Sequence, residues 1–243
     1  ARGTVRAIAS DDPLTKGALI ITNDRWNSST SWVGVIPVRE SVEPYEVPYS
    51  VQLDNRLFAT AGRIGALVAA PHQRSRLGAV EVVLTPKELA RCEDALCHFL
   101  QIPLLLGPAV RLPPVLGQPD YPLWGEIYYA EPPINDELKR YIVVSPNSWN
   151  AVSGTASLVR TTSQMKYDSE LFPPIQNGAA RACCGEATTV RHGMLRFGSR
   201  VRRPAPMTTT RPDMARIARA FLVTHGLDAS ARRMGILLTG THP

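Results

Sequence analysis

Two apolar runs with the same spacing organise the chain. Residues 16–39 read KGALIITNDRWNSSTSWVGVIPVR, and residues 139–162 read KRYIVVSPNSWNAVSGTASLVRTT. Each opens on a basic residue and continues into an unbroken apolar run, Leu19-Ile20-Ile21 in one and Ile142-Val143-Val144 in the other. A polar turn ending in Trp-Asn follows, then a second β-rich run. Short unbroken apolar runs suit strands buried on both faces. Trp149 stands 123 positions after Trp26 (149 − 26), and Asn150 and Lys139 follow Asn27 and Lys16 at the same interval. A repeat at fixed offset means two copies of one unit, here of roughly 100 to 120 residues, an ordinary domain size.

In the first copy the pattern predicts a short strand ending at Ile8, a turn at Asp11-Asp12-Pro13, and strands over residues 18–22, 32–38, 47–53, 64–70 and 80–84. Thr85-Pro86-Lys87-Glu88 then starts a helix, with Thr85 as N-cap, Pro86 at the first position and Glu88 closing a capping box. Leu89, Cys92, Leu96 and Leu100 form its apolar stripe. The second copy restarts at Trp124-Gly125-Glu126. Residues 195–202 alternate and set Arg196, Arg200 and Arg202 on one face. The matching helix covers 213–222, with Met214, Ile217, Ala218 and Phe221 as its stripe. Between the copies, residues 103–122 hold six of the 21 prolines and show no periodicity, which predicts a stiff, extended linker. The expected division is copy one over 1–102, the linker over 103–122, copy two over 123–233 and an apolar tail over 234–243.

Composition adds a partner class. The net charge is +6, and four lysines among 27 basic residues leave 23 arginines. Arginine grips phosphate with two parallel donors and stacks on bases, so the bias suits a nucleic-acid surface; a GC-rich genome would give the same ratio. Four cysteines at 92, 97, 183 and 184 have neither disulfide-framework nor zinc spacing, which favours a reduced, cytoplasmic setting. No apolar run reaches membrane-spanning length, and there is no P-loop, GxGxxG or HExxH motif.

Strand–loop–strand units ending in one helix indicate small β-barrels carrying helices, a mainly β (α+β) class. Each copy resembles the MazF/PemK (Kid) toxins of bacterial toxin–antitoxin systems. The resemblance lies in the opening x-Gly-x-[Val/Ile], the basic residue before an apolar strand ending in Asn-Asp or Ser-Pro, the Trp-Asn after it, and the Thr closing the next strand. It implies two SH3-like barrels, each with a C-terminal helix, forming an intrachain pseudo-dimer that acts as a monomer.

The resemblance further implies cleavage of single-stranded RNA with no metal or other cofactor, with an acidic antitoxin as a further partner. Carried over through Asn27 and Asn150, the family's basic residue falls on Lys16 and on Lys139, with Arg140 beside it. The family's threonine falls on Arg39 in copy one and on Thr162 in copy two, with Thr161 adjacent. Copy two is therefore the expected reaction centre (Arg140, Lys139, Thr162, Thr161) and copy one an RNA clamp through Lys16 and Arg39. Trp26 and Trp149 are candidate base-stacking platforms, although tryptophans with such apolar neighbours more often belong to a core. Asn150, Arg74, Arg76, Arg196, Arg200 and Arg202 complete the expected RNA surface. The alternative is a non-catalytic module of the MazF/CcdB type that binds RNA, an antitoxin or another protein, because one fold hosts several activities.

Overall fold

A computed structural model describes residues 1–10, 12–54, 56–68, 77–106, 120–130, 138–164, 170–196 and 207–236. The first half runs β1 (Thr4–Ile8), β2 (Thr15–Ile20), α1 (Asp24–Ser29), β3 (Trp32–Arg39), β4 (Ser50–Gln52), β5 (Phe58–Thr60), β6 (Gly65–Val68), β7 (Leu77–Val83), α2 (Pro86–Phe99) and α3 (Ile102–Leu106). The second half runs β8 (Glu126–Ala130), β9 (Lys139–Val143), α4 (Asn147–Ser153), β10 (Thr155–Thr162), β11 (Pro174–Ile175), β12 (Ala180–Arg191), β13 (Met207–Thr208), α5 (Arg211–His225) and α6 (Asp228–Arg233). Each half builds one antiparallel sheet. Half one has the order β4-β5-β3-β2-β1-β7 with β6 also on β3, and half two has β11-β12-β10-β9-β8-β13.

The central strands β2, β3, β9 and β10 are buried on two faces, as the unbroken apolar runs predict. One face of each sheet encloses a small core of its own. In half one this is Ala18, Ile20, Val33 and Val35, and in half two Tyr141, Val143, Ala156 and Leu158, each 123 residues further on. The opposite faces meet the helices in one core that runs through both halves and contains Leu19, Ile36, Leu96, Phe99, Ile142, Val159, Ile217 and Phe221. The capping box at the start of α2 forms as read from sequence: Thr85 Oγ1 accepts from Glu88 N–H, and the Glu88 carboxylate accepts from Thr85 N–H.

The two halves exchange equivalent contacts. Trp26 of half one lies against Gly185 of half two, where an added Cβ would overlap the indole; Trp149 of half two lies against Gly62 of half one in the same way. Gly185 also follows Gly62 by 123 residues. Trp149 packs edge-on against Tyr45, Tyr49 and Phe99 of half one, and Trp26 packs on Phe172 of half two with centroids 5.2 Å apart. Helix α3 packs on α5 and α6 on α2, again crossing between halves both ways. This is a self-complementary contact, each side using the same patch.

Several expectations change. Residues 103–106, expected at the start of an extended linker, form α3 together with Ile102 and dock on α5. The polar turns before Trp-Asn hold short helices, α1 and α4, that periodicity missed because six or seven residues carry too few apolar positions to show a stripe. Of the strand expected over 195–202, an isolated bridge between Arg196 and Tyr129 is seen, and residues 197–202 lie outside the described residues.

Candidate functional site

The Trp-Asn motif proves structural. Thr22 Oγ1 donates to Asn27 Oδ1 (2.6 Å) and accepts from the Gly34 amide on β3 (3.0 Å). In half two Ser145 Oγ donates to Asn150 Oδ1 (2.6 Å) and accepts from Ser157 N–H (2.9 Å), while Asn150 Nδ2 donates to the Pro122 carbonyl. Asn150 is thus a fully buried brace between strands, without a free amide for RNA. Trp26 and Trp149 are likewise fully buried and are inter-half anchors, not stacking platforms. Their large apolar area is removed from water by the opposite half, so no ring face remains for a base.

The half-one counterpart of the site is closed by carboxylates. Arg39 is 4% exposed; its Nη1 donates to Glu46 (2.8 Å) and its Nε to Asp12 (3.2 Å). Glu46, itself fully buried, also accepts from Arg63 Nε and from Glu43 N–H. Burial opposes ionisation of Asp12, but bonds from Thr15 and Leu14 N–H and the Arg39 charge hold its carboxyl below the usual range. Arg39 therefore has no charge to lend to a phosphate, and the clamp expected of it is withdrawn. Lys16 sits in an exposed pair with Glu40 (3.1 Å); such pairs are weak and exchange readily.

Half two is arranged differently. Alternation along β10 puts Thr162 with Arg160 and Leu158 on one face and Thr161 with Val159 on the other. On β9 the same alternation puts Lys139 with Tyr141, the register partner of Arg160, and Arg140 with Ile142, the partner of Val159. Lys139 and Thr162 thus share a face, and Arg140 does not join them. The Arg140 Nη2 donates to Gln176 Oε1, and its carbonyl accepts from Thr161 Oγ1 (3.1 Å), which uses the hydroxyl of that buried threonine. Arg140 and Thr161 are therefore removed from the expected reaction centre. Thr162 is half-buried, and its Oγ1 accepts from Gln164 N–H (3.2 Å).

Two residues on this face escaped sequence reading. Arg181 is the cross-strand partner of Thr162; it lay in a stretch read only as small and apolar. Its Nη1 donates to the Phe172 carbonyl (2.9 Å). Arg160 pairs with Glu186 (2.6 Å) beside Tyr141. Burial pushes the Glu186 carboxyl up against the pull of Arg160, so this pair neutralises itself. All four cysteines are buried, and burial pushes the Cys183 thiol up to about 12, which removes it as a nucleophile at neutral pH.

Arg196 is exposed and bonded to Tyr129 through backbone alone in both directions (2.8 Å). Arg74, Arg76, Arg200 and Arg202 lie outside the described residues. Among the described residues no three His, Cys, Asp or Glu side chains come together as a metal site, and no helix is long and apolar enough to cross a membrane.

No family model matches the sequence, and no curated protein matches it. In structure the chain is similar to an endoribonuclease from a mycobacterial species solved with its cognate antitoxin, at 18% identity and a TM-score of 0.37, over 44% of this chain and 96% of that one. It is also similar to a second mycobacterial endoribonuclease, at 19% identity and a TM-score of 0.36, over 44% of this chain and 93% of the other.

Proposed function

We propose that the chain is a single-chain pseudo-dimer of two MazF-like, SH3-type barrels that cleaves single-stranded RNA through half two. The observation that carries this reading is the asymmetry of two equivalent positions. Arg39 is sealed by Asp12 and Glu46, whereas Thr162 keeps a half-buried hydroxyl on a face shared with Lys139 and Arg181. The reciprocal Trp–Gly contacts support the pseudo-dimer, because they meet within one chain the burial that separate subunits would otherwise supply.

The chemistry proposed for this face is internal transfer. The RNA 2′-hydroxyl attacks the adjacent phosphorus and loses its proton; the bond to the 5′-oxygen breaks, and that oxygen takes up a proton as it leaves. The products are a 2′,3′-cyclic phosphate and a 5′-hydroxyl, with no water consumed. Thr162 orients the reacting phosphate and assists proton transfer, while Lys139 supplies charge as the phosphorane forms. Lys16 and the exposed Arg196 hold the flanking backbone. An acidic antitoxin is the proposed protein partner, drawn to the same basic face.

Single-turnover cleavage at saturating protein tests the assignment. Thr162→Ala should slow cleavage by about 10²- to 10⁴-fold, the usual scale for losing a proton-transfer group, and Lys16→Ala should weaken binding while leaving that rate near wild type. Full single-turnover activity in Thr162→Ala would remove the reaction centre from half two.

A further inference from the structure

We infer that Arg181, on β12, supplies the phosphate-gripping guanidinium of the half-two site. This rests on the RNA reading above and assigns a residue that the resemblance does not. Three observations carry it. Arg181 is the register partner of Thr162, so the two side chains leave neighbouring strands on the same face of the sheet. Among the described residues Arg181 has no carboxylate partner. Its guanidinium instead donates to a neutral carbonyl, that of Phe172 (2.9 Å). Its Nε is shielded from solvent and has no hydrogen-bond partner among the described residues.

A guanidinium offers five donors in a rigid fork. Here one arm is fixed on the backbone, and the rest of the fork retains its charge and most of its donors. A buried donor without a partner is unfavourable, and an arriving phosphate oxygen would supply the missing acceptor. The neighbouring arginines are already committed elsewhere: Arg160 is neutralised by Glu186, and Arg140 points to the other face and bonds Gln176. The carbonyl that fixes Arg181 belongs to Phe172, whose ring packs on Trp26 of half one. The fork is therefore held by the contact between halves.

The equivalent crossing in half one is built differently. Its cross-strand pair is Arg39 and Phe58, so the guanidinium stands on the other strand of the pair and is consumed by Asp12 and Glu46. Each half carries one arginine at this crossing, and the one in half two keeps its charge.

The test uses full-length protein, a fluorescent single-stranded RNA and three variants, Arg181→Gln, Arg181→Lys and Arg140→Gln. Each phosphate contact on a single strand contributes about 0.7 to the slope of log affinity against log salt. Arg181→Gln should lower that slope by about 0.7. Arg181→Lys keeps the charge and the reach to the Phe172 carbonyl, so it should preserve the slope while slowing single-turnover cleavage by tenfold or more, because the planar fork is lost. A purely structural role would shift thermal stability and leave the slope alone. If Arg181→Gln unfolds, Arg181→Lys decides: full cleavage by that variant overturns the inference. An unchanged slope in folded Arg181→Gln, or a slope lost in Arg140→Gln instead, also overturns it. Wild-type protein that neither binds nor cleaves RNA would instead remove the underlying functional reading.

Discussion

The contact between halves makes a quantitative prediction through Gly62 and Trp149. The Gly62 backbone lies on the indole, so Gly62→Ala forces a methyl into a ring that is fully buried among Tyr45, Tyr49 and Phe99. Overpacking of this kind costs about 1–3 kcal/mol. Trp149→Ala removes the ring and should cost about 3–5 kcal/mol. In the double variant the cavity receives the methyl, so adding Gly62→Ala to Trp149→Ala should cost nothing. It should even stabilise by about 0.4–1 kcal/mol, because Gly62 has an ordinary backbone and alanine narrows the unfolded ensemble. The expected coupling is therefore about 1.5–4 kcal/mol, read from urea unfolding of the four proteins as a double-mutant cycle. Repeating it with Gly185 and Trp26 should give a coupling of the same sign and similar size. Additive costs at either pair would refute the reciprocal packing on which the two-half architecture rests.

Further outcomes follow from buried charge. Removing Glu46 (Glu46→Ala) leaves buried Arg39 with Asp12 alone and takes the carboxylate from Arg63; it should cost about 3–5 kcal/mol by denaturant unfolding, with little change in RNA cleavage if half one has no reaction centre. His225 is fully buried at the inter-half contact, with Nδ1 donating to the Phe221 carbonyl (3.2 Å) and Nε2 without a hydrogen-bond partner among the described residues. Burial lowers its pKa from 6.5 to about 3. The neutral ring thus contributes stability that is complete above pH 6.5 and is lost as pH falls towards 3. The loss should be about 2 kcal/mol at pH 5, and His225→Gln should abolish that part of the acid sensitivity. Glu93 and Glu186, raised by burial, act in the opposite direction but are common to both proteins and cancel in the comparison.

Much of this fold was legible along the chain. The apolar runs became two-sided strands because a run without polar interruption has no face to offer to water. The capping box at Thr85 formed because all its partners lie within four residues. The meaning of Trp26 and Trp149 was not legible, since their partners, Gly185 and Gly62, lie far away in sequence. A signal was nonetheless present, because those glycines repeat at the same 123-residue interval as the tryptophans. At the candidate site, strand alternation was legible and long-range partners were not. Thr162 and Lys139 share a face as strand alternation requires, and the same alternation excludes Arg140 and Thr161. Arg39 looked available because sequence cannot say that Asp12 and Glu46 converge on it. Arg181 was hidden in a run of small residues, visible as a neighbour of Thr162 only once β12 is paired with β10.

The central claim is tested most directly by the ends left on cleaved RNA. Purified full-length protein is incubated with a mixed-sequence single-stranded RNA in excess EDTA, and the fragments are analysed for their termini. Fragments with 2′,3′-cyclic phosphate and 5′-hydroxyl ends are expected, formed at a rate that chelation leaves unchanged and that Thr162→Ala lowers by about a hundredfold or more. Intact RNA across all sequences, or fragments carrying 5′-phosphates, would contradict it and leave the non-catalytic binding module as the reading of this chain.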